Sequence, residues 1–196
     1  DRSPTTHIDG RKGELRYWGY SIHDLATHST FEETAYLLLH GELPTKAQLS
    51  EFDASLKAAR QLPEPIIELI KLTLNGHPMD VLRTAVSALA AFDPDTNDNS
   101  SAAVMRKTIR LTSQVAMIVA AHQRLRQGLE VLEPKPELSH AAHFLFLISG
   151  EVPSDDAARL MDLDLILHAE HGSNASSFTA RVVTGTDANL HASITA

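Results

Sequence analysis

Residues 102–127 carry the longest helical pattern in the chain, closed by Gly128, and its middle is apolar on all sides. A helix without a polar face needs cover all round. It therefore belongs at the centre of a bundle or at a subunit interface, and the rest of the sequence has to supply the cover. With 43% hydrophobic and 21% charged residues among 196, the chain can bury such a core, and a disordered chain is excluded.

Helix punctuation runs through most of the sequence. Ser21 with Asp24 resembles a capping box, and Thr30 with Glu33 is a better one, opening a helix that should stop at Gly41. Thr45 with Gln48 opens the next, with Leu49, Phe52, Leu56 and Ala59 at helical spacing. Pro65 suits a first helical position, in a helix expected to reach Asn75-Gly76. Pro78 starts another, with Val81, Leu82, Ala85, Val86, Leu89 and Ala90 in one stripe. Residues 93–100 are turn formers and read as a surface loop rather than a domain linker. Two further helices are expected over residues 140–149 and 155–169. Only the start departs from this pattern: Ile8, Leu15 and Tyr17 flank a glycine-bearing reversal at 9–13, which reads as a small β-hairpin. The fold class is all-α with a small N-terminal hairpin.

Several function classes drop out. Cysteine is absent, which excludes disulfides, thiolate metal sites and a cysteine nucleophile. The net charge is −8 and the densest basic group is only Arg106, Lys107 and Arg110, so nucleic acid is not an expected partner. The longest apolar run, 115–121, is far short of the roughly 20 residues of a spanning helix, and no signal-peptide pattern opens the chain. No membrane association and a cytoplasmic location are expected. Phosphate-loop and nucleophile-elbow motifs are missing.

Chemistry concentrates at one helix end, where His168, Glu170, His171 and Asn174 fall within seven residues. Three readings are open: helix capping, with histidines against the negative end of the dipole; a metal site; or a polar pocket for a small anion. The metal reading is weakest. His168 and His171 share a face at i,i+3, but a zincin needs its histidines four apart, and no third ligand is evident. His140 and His143 repeat the same spacing.

Four ordered segments together resemble the citrate synthases. Residues 8–15 with Tyr17-Trp18-Gly19-Tyr20-Ser21-Ile22 and Phe31-Glu32-Glu33 through Gly41-Glu42-Leu43-Pro44 are similar to the family's opening. His77-Pro78-Met79-Asp80 with Leu82-Arg83-Thr84-Ala85 resembles the next block. Leu165-Ile166-Leu167-His168-Ala169-Glu170-His171 with Asn174-Ala175-Ser176 and Phe178-Thr179-Ala180-Arg181 resembles a third. The likeness implies an all-α homodimer with its active site in a cleft between a large and a small domain. It also implies condensation of acetyl-CoA with oxaloacetate, or of propionyl-CoA in the 2-methylcitrate synthases. Coenzyme A is then a substrate carrier, and neither prosthetic group nor metal is expected. By resemblance His171 and Asn174 contact oxaloacetate, and His168 stands beside them.

The likeness also carries departures. Residues 1–196 correspond to the N-terminal portion of the family's large domain. The family's enol-stabilising histidine, second catalytic histidine, aspartate base and carboxylate-gripping arginines have no counterpart in this sequence. No catalytic residue is expected here, and the chain alone is expected to be inactive. Asn189 and His191 stand where the family more often has aspartate and tyrosine. The competing reading is a non-catalytic helical dimerisation module. In either case the stripe of residues 78–92 and the apolar stretch 115–121 are expected to form a dimer interface.

Overall fold

The computed structural model describes residues 5–196, in which three short strands are followed by ten helices. Strands β1 (Thr6–Asp9), β2 (Glu14–Tyr17) and β3 (Tyr20–Ser21) form an antiparallel sheet in that order, with Ile8 opposite Leu15 and Tyr17 opposite Tyr20. The first reversal places Gly13 at φ 68. The second reversal, not expected from sequence, puts Trp18 at φ 48 and Gly19 at φ 88. Two successive positive φ values match the twist of a tight hairpin. Trp18 is held there by its partners, since its Nε1 donates to the Leu38 carbonyl at 3.3 Å and its ring lies against Gly41.

Helix α1 (Ile22–His28) is capped by Ser21, whose side chain accepts only from the His23 amide, so the expected box with Asp24 does not form. The two stronger boxes do form. Thr30 and Glu33 open α2 (Phe31–His40), which ends on Gly41 at φ 86, and Thr45 and Gln48 open α3 (Lys46–Ala58). Pro65 lies one position inside α4 (Glu64–Leu72), which stops short of Asn75. There the Thr73 hydroxyl turns back to the Leu69 carbonyl at 2.8 Å. Helix α5 (Pro78–Leu89) likewise ends before Phe92.

Helix α6 (Ser101–Arg126) is the 26-residue axis of the molecule, about 39 Å long. Helices α3, α4, α5, α7 (His140–Ser149) and α10 (Leu190–Thr195) pack on it. One core joins Ile66 and Ile70 of α4, Val81, Ala85, Val86 and Leu89 of α5, and Leu111, Ile118 and Ala121 of α6. Met117 and Ala120 continue it towards Phe146 and Leu147 of α7. The apolar middle of α6 is thus covered mostly by its own chain. What stays open is a groove of about 410 Å³ lined by Met79, Leu82, Val119 and His122, among others, with Val119 36% exposed. Both stripes are thus largely spent on the internal core, with Met79, Phe92 and Val119 left exposed.

The loop at 93–100 accounts for the basic group on α6. Arg110 holds Asp93 and Asp95, Arg106 makes a two-point contact with Asp95, and the fully buried Lys107 donates to the Asp98 carbonyl at 2.7 Å. The two arginines hold the Asp95 carboxyl far below the usual carboxylate range. His191 of α10 is buried against this network, its Nε2 3.6 Å from Asp93. Asn189 caps α10 by accepting from the Ala192 amide.

A second polar group is buried where α2, α3 and α7 meet. The Glu32 carboxylate accepts from the His140 amide at 2.7 Å, and Arg60 donates to the Lys135 and Leu138 carbonyls, both at 2.9 Å. His140 and His143, which share the spacing of His168 and His171, both point into the interior and are at most 6% exposed.

Candidate functional site

The histidine-bearing segment is the connection between α8 (Asp155–His168) and α9 (Ala175–Thr184). Helix α8 is seated by Arg159. Its guanidinium donates to the carbonyls of Ser29 and Ala26 and pairs with Asp162, which accepts from the Phe31 amide. Arg159 is therefore structural. Ile166 joins the core of Tyr17, Ile22, Leu25 and Leu37, which locks the end of α8 to the hairpin.

Tyr17 completes that lock. It is fully buried, and its hydroxyl donates to the Glu170 carbonyl at 3.0 Å while the Glu170 amide donates back at 3.2 Å. The carbonyls of Ile166, which also accepts from the Ala169 amide, and of Leu167 lie 3.2 and 3.4 Å away, so the hydroxyl sits among the last carbonyls of the helix. Burial raises the phenol pKa further, which keeps it a neutral donor. The Glu170 carboxylate accepts from the Gly172 amide at 2.7 Å, bridging across residue 171, and Gly172 turns the chain at φ 74.

The expected residues come out differently. His168 is largely exposed, and its Nδ1 lies 2.8 Å from the Asp164 carbonyl, one turn back, with the Asp164 carboxylate 3.4 Å away. That is the helix-end reading. Asn174 is the N-cap of α9: its Oδ1 accepts from the Ser177 amide at 2.8 Å, so only its Nδ2 is left to meet a ligand. His171 is exposed in the irregular stretch between the two helices. Among the described residues no group of three or more histidines and acids is placed to hold a metal ion.

The arrangement favours an anion. Imidazole and amide donors stand beside the first turn of α9 and the positive end of its helix dipole, with the Ser177 amide already taken by Asn174. A cavity of about 320 Å³ adjoins the segment, lined by Phe31, Ala35, Leu38 and Leu39 on one side and by Ala169 and Glu170 on the other. Glu170 stood out in the sequence beside the histidines, whereas Tyr17 did not. Their pairing spans 153 residues, for which no local signal exists.

Fold and site together define an all-α domain with an exposed, histidine-bearing turn between α8 and α9. The family profile described as "Citrate synthase, C-terminal domain" matches residues 1–196, and the chain belongs to the citrate synthase family. It is 40% identical over 190 residues to citrate synthase from Deinococcus radiodurans, covering 96% of this chain and 50% of that protein. It is also 40% identical over 196 residues to 2-methylcitrate synthase from Mycobacterium tuberculosis, covering 100% of this chain and 49% of the other. Among solved structures, citrate synthase from Pyrobaculum aerophilum superposes with a TM-score of 0.95 at 38% identity, over 100% of this chain and 51% of that one. The ternary complex of the Thermoplasma acidophilum enzyme with carboxymethyl coenzyme A and oxaloacetate gives 0.93 at 27% identity, again over 100% and 51%. The chain spans about half the length of the relatives it matches.

Proposed function

We propose that this chain is the N-terminal portion of the large domain of a citrate synthase, a cytoplasmic homodimer that condenses acetyl-CoA with oxaloacetate to give citrate and CoA. His171 contacts oxaloacetate in this reading, assisted by the Asn174 amide, while His168 sets the helix end beside them. The acyl-CoA brings its own coenzyme as substrate, and no prosthetic group or metal is required. The observation that carries the reading is the likeness, over the whole of this chain, to a structure bound to oxaloacetate and a coenzyme A analogue, combined with an exposed histidine turn beside a helix N-terminus.

Helix α9 supports the view that further polypeptide completes the site. None of its ten residues is buried, although it carries Phe178 at 58% and Val182 at 55% exposure, and Leu160 of α8 is 69% exposed. An apolar face of this kind next to a substrate-binding turn is normally covered. The enolising base and the oxyanion donor belong to that covering part, so the 196 residues alone lack the groups that carbon-acid chemistry needs.

A second reading is 2-methylcitrate synthase, favoured by the equal identity to the Mycobacterium tuberculosis protein. Thiol release from acetyl-CoA and from propionyl-CoA, each with oxaloacetate, separates the two in the complete synthase. A higher kcat/KM for acetyl-CoA supports the first, and the reverse preference supports the second. No thiol release from either supports a non-catalytic module.

A further inference from the structure

We propose that Tyr17 is a positioning residue for His171: the N-terminal hairpin clamps the turn that carries the histidine, and the Tyr17 hydroxyl is its main grip. The inference rests on the reading of His171 as a substrate contact and adds what sets its direction.

The His171 ring stands in the open connection, so the backbone of 170–172 fixes where it points. On the α9 side the Asn174 amide and the Ser177 hydroxyl reach the Gly172 carbonyl at 2.9 and 3.4 Å, and from the opposite side the hairpin holds the backbone at two places. Tyr17, at the end of β2, exchanges hydrogen bonds with the carbonyl and the amide of Glu170, at 3.0 and 3.2 Å. Ile8, on β1, packs against Gly172, where an added Cβ would stand 3.4 Å from its Cδ1. Between these grips the Glu170 carboxylate spans to the Gly172 amide at 2.7 Å, so residue 171 is strapped on either side. Capping of α8 does not require this arrangement, because a glycine at positive φ can end a helix by local hydrogen bonds alone. A buried tyrosine recruited from the far end of the chain adds a fixed reference. The hairpin is itself anchored on the end of α2 through the Trp18 indole, so the turn is referred to the body of the domain.

The test is a double-mutant cycle on kcat/KM for oxaloacetate in the complete synthase, using Tyr17→Phe and His171→Ala. Tyr17→Phe removes only the hydroxyl. It is expected to raise KM for oxaloacetate about 5- to 10-fold in the wild-type background, with a smaller change in kcat. In the His171→Ala background it should cost less than twofold, because a side chain that is gone cannot be misdirected. Equal losses in both backgrounds, or no loss in either, overturn the positioning role. A silent His171→Ala instead removes the substrate reading, and the role proposed for Tyr17 with it. The positional claim is also read without activity. In the 196-residue chain, Tyr17→Phe should move the NMR signals of His171 and speed amide exchange at 169–172 while the Trp18 indole signal stays put; unchanged His171 signals overturn it. Should Tyr17→Phe fail to fold, Ile8→Ala loosens the same turn without removing a buried hydroxyl, and the same cycle and spectra decide.

Discussion

Acidification should unfold this chain well before its carboxylates are all protonated, because two buried histidines must remain neutral. His140 and His143 are 6% and 2% exposed, and burial together with the nearby Arg60 guanidinium pushes both down to about 4. His140 Nδ1 and His143 Nε2 are buried without a hydrogen-bond partner, so a proton on either of these atoms would meet no acceptor. The unfolded chain takes up each proton near the ordinary 6.5, while the folded chain refuses it until about 4. Stability is therefore complete above pH 6.5 and is lost as pH falls towards 4. Each histidine costs about 1.4 kcal/mol per pH unit inside that window, so the pair removes about 4 kcal/mol between 6.5 and 5. That is a large part of the 5–15 kcal/mol typical of a domain.

Glu32 works in the opposite direction. Burial raises its pKa, so its charge costs stability at neutral pH and the cost is relieved on acidification, offsetting part of the loss in the lower half of the window. Asp53 and Glu137 also face Arg60 and temper its effect on the two rings. The assay is urea unfolding followed by circular dichroism at half-unit steps from pH 7 to 5, for the wild type and for His143→Leu. The midpoint should fall steeply in the wild type and with about half the slope in the variant. A flat profile in the wild type, or an unchanged slope in His143→Leu, refutes the reasoning.

Two other outcomes are expected. Val119→Asp places a charge in the open groove between α5 and α6 and should shift a dimer towards monomer in light scattering, with Tm changed by only a few degrees; an unchanged dimer rejects the groove as the interface. The 196-residue chain, purified free of host synthase, should release no thiol from acetyl-CoA with oxaloacetate, since groups that act as a unit in a reaction cost orders of magnitude when any one is missing; turnover above background that His171→Ala abolishes would contradict this.

The helices were legible in the sequence wherever their signals are local. Thr30 with Glu33 and Thr45 with Gln48 form the boxes that their spacing implies, because both partners lie within one turn. Helix ends closed without a glycine were not legible, as at Thr73 of α4 and Ala90 of α5. Spacing could not separate His140 and His143 from His168 and His171: both pairs are i,i+3, yet one faces the core and the other solvent, and only packing decides. Arg106 and Arg110, with Lys107 between them, read as scattered surface charge until the loop at 93–100 folds onto them. The sequence drew attention to the segment 168–174 because its polar side chains are neighbours in the chain. Within it, Asn174 proved to be committed to capping α9 and His168 to the end of α8, which leaves His171 as the residue with its chemistry unspent.

His171→Ala in the complete synthase tests the central claim most directly, with kcat/KM for oxaloacetate as the readout. Loss of a donor to an anionic substrate should cost about 2–4 kcal/mol, against about 1 kcal/mol for loss of a helix-end contact. The account predicts at least a tenfold fall with circular dichroism and Tm near those of the wild type. Near-normal kinetics with an intact fold would contradict it and return His171 to an ordinary residue of a helix connection.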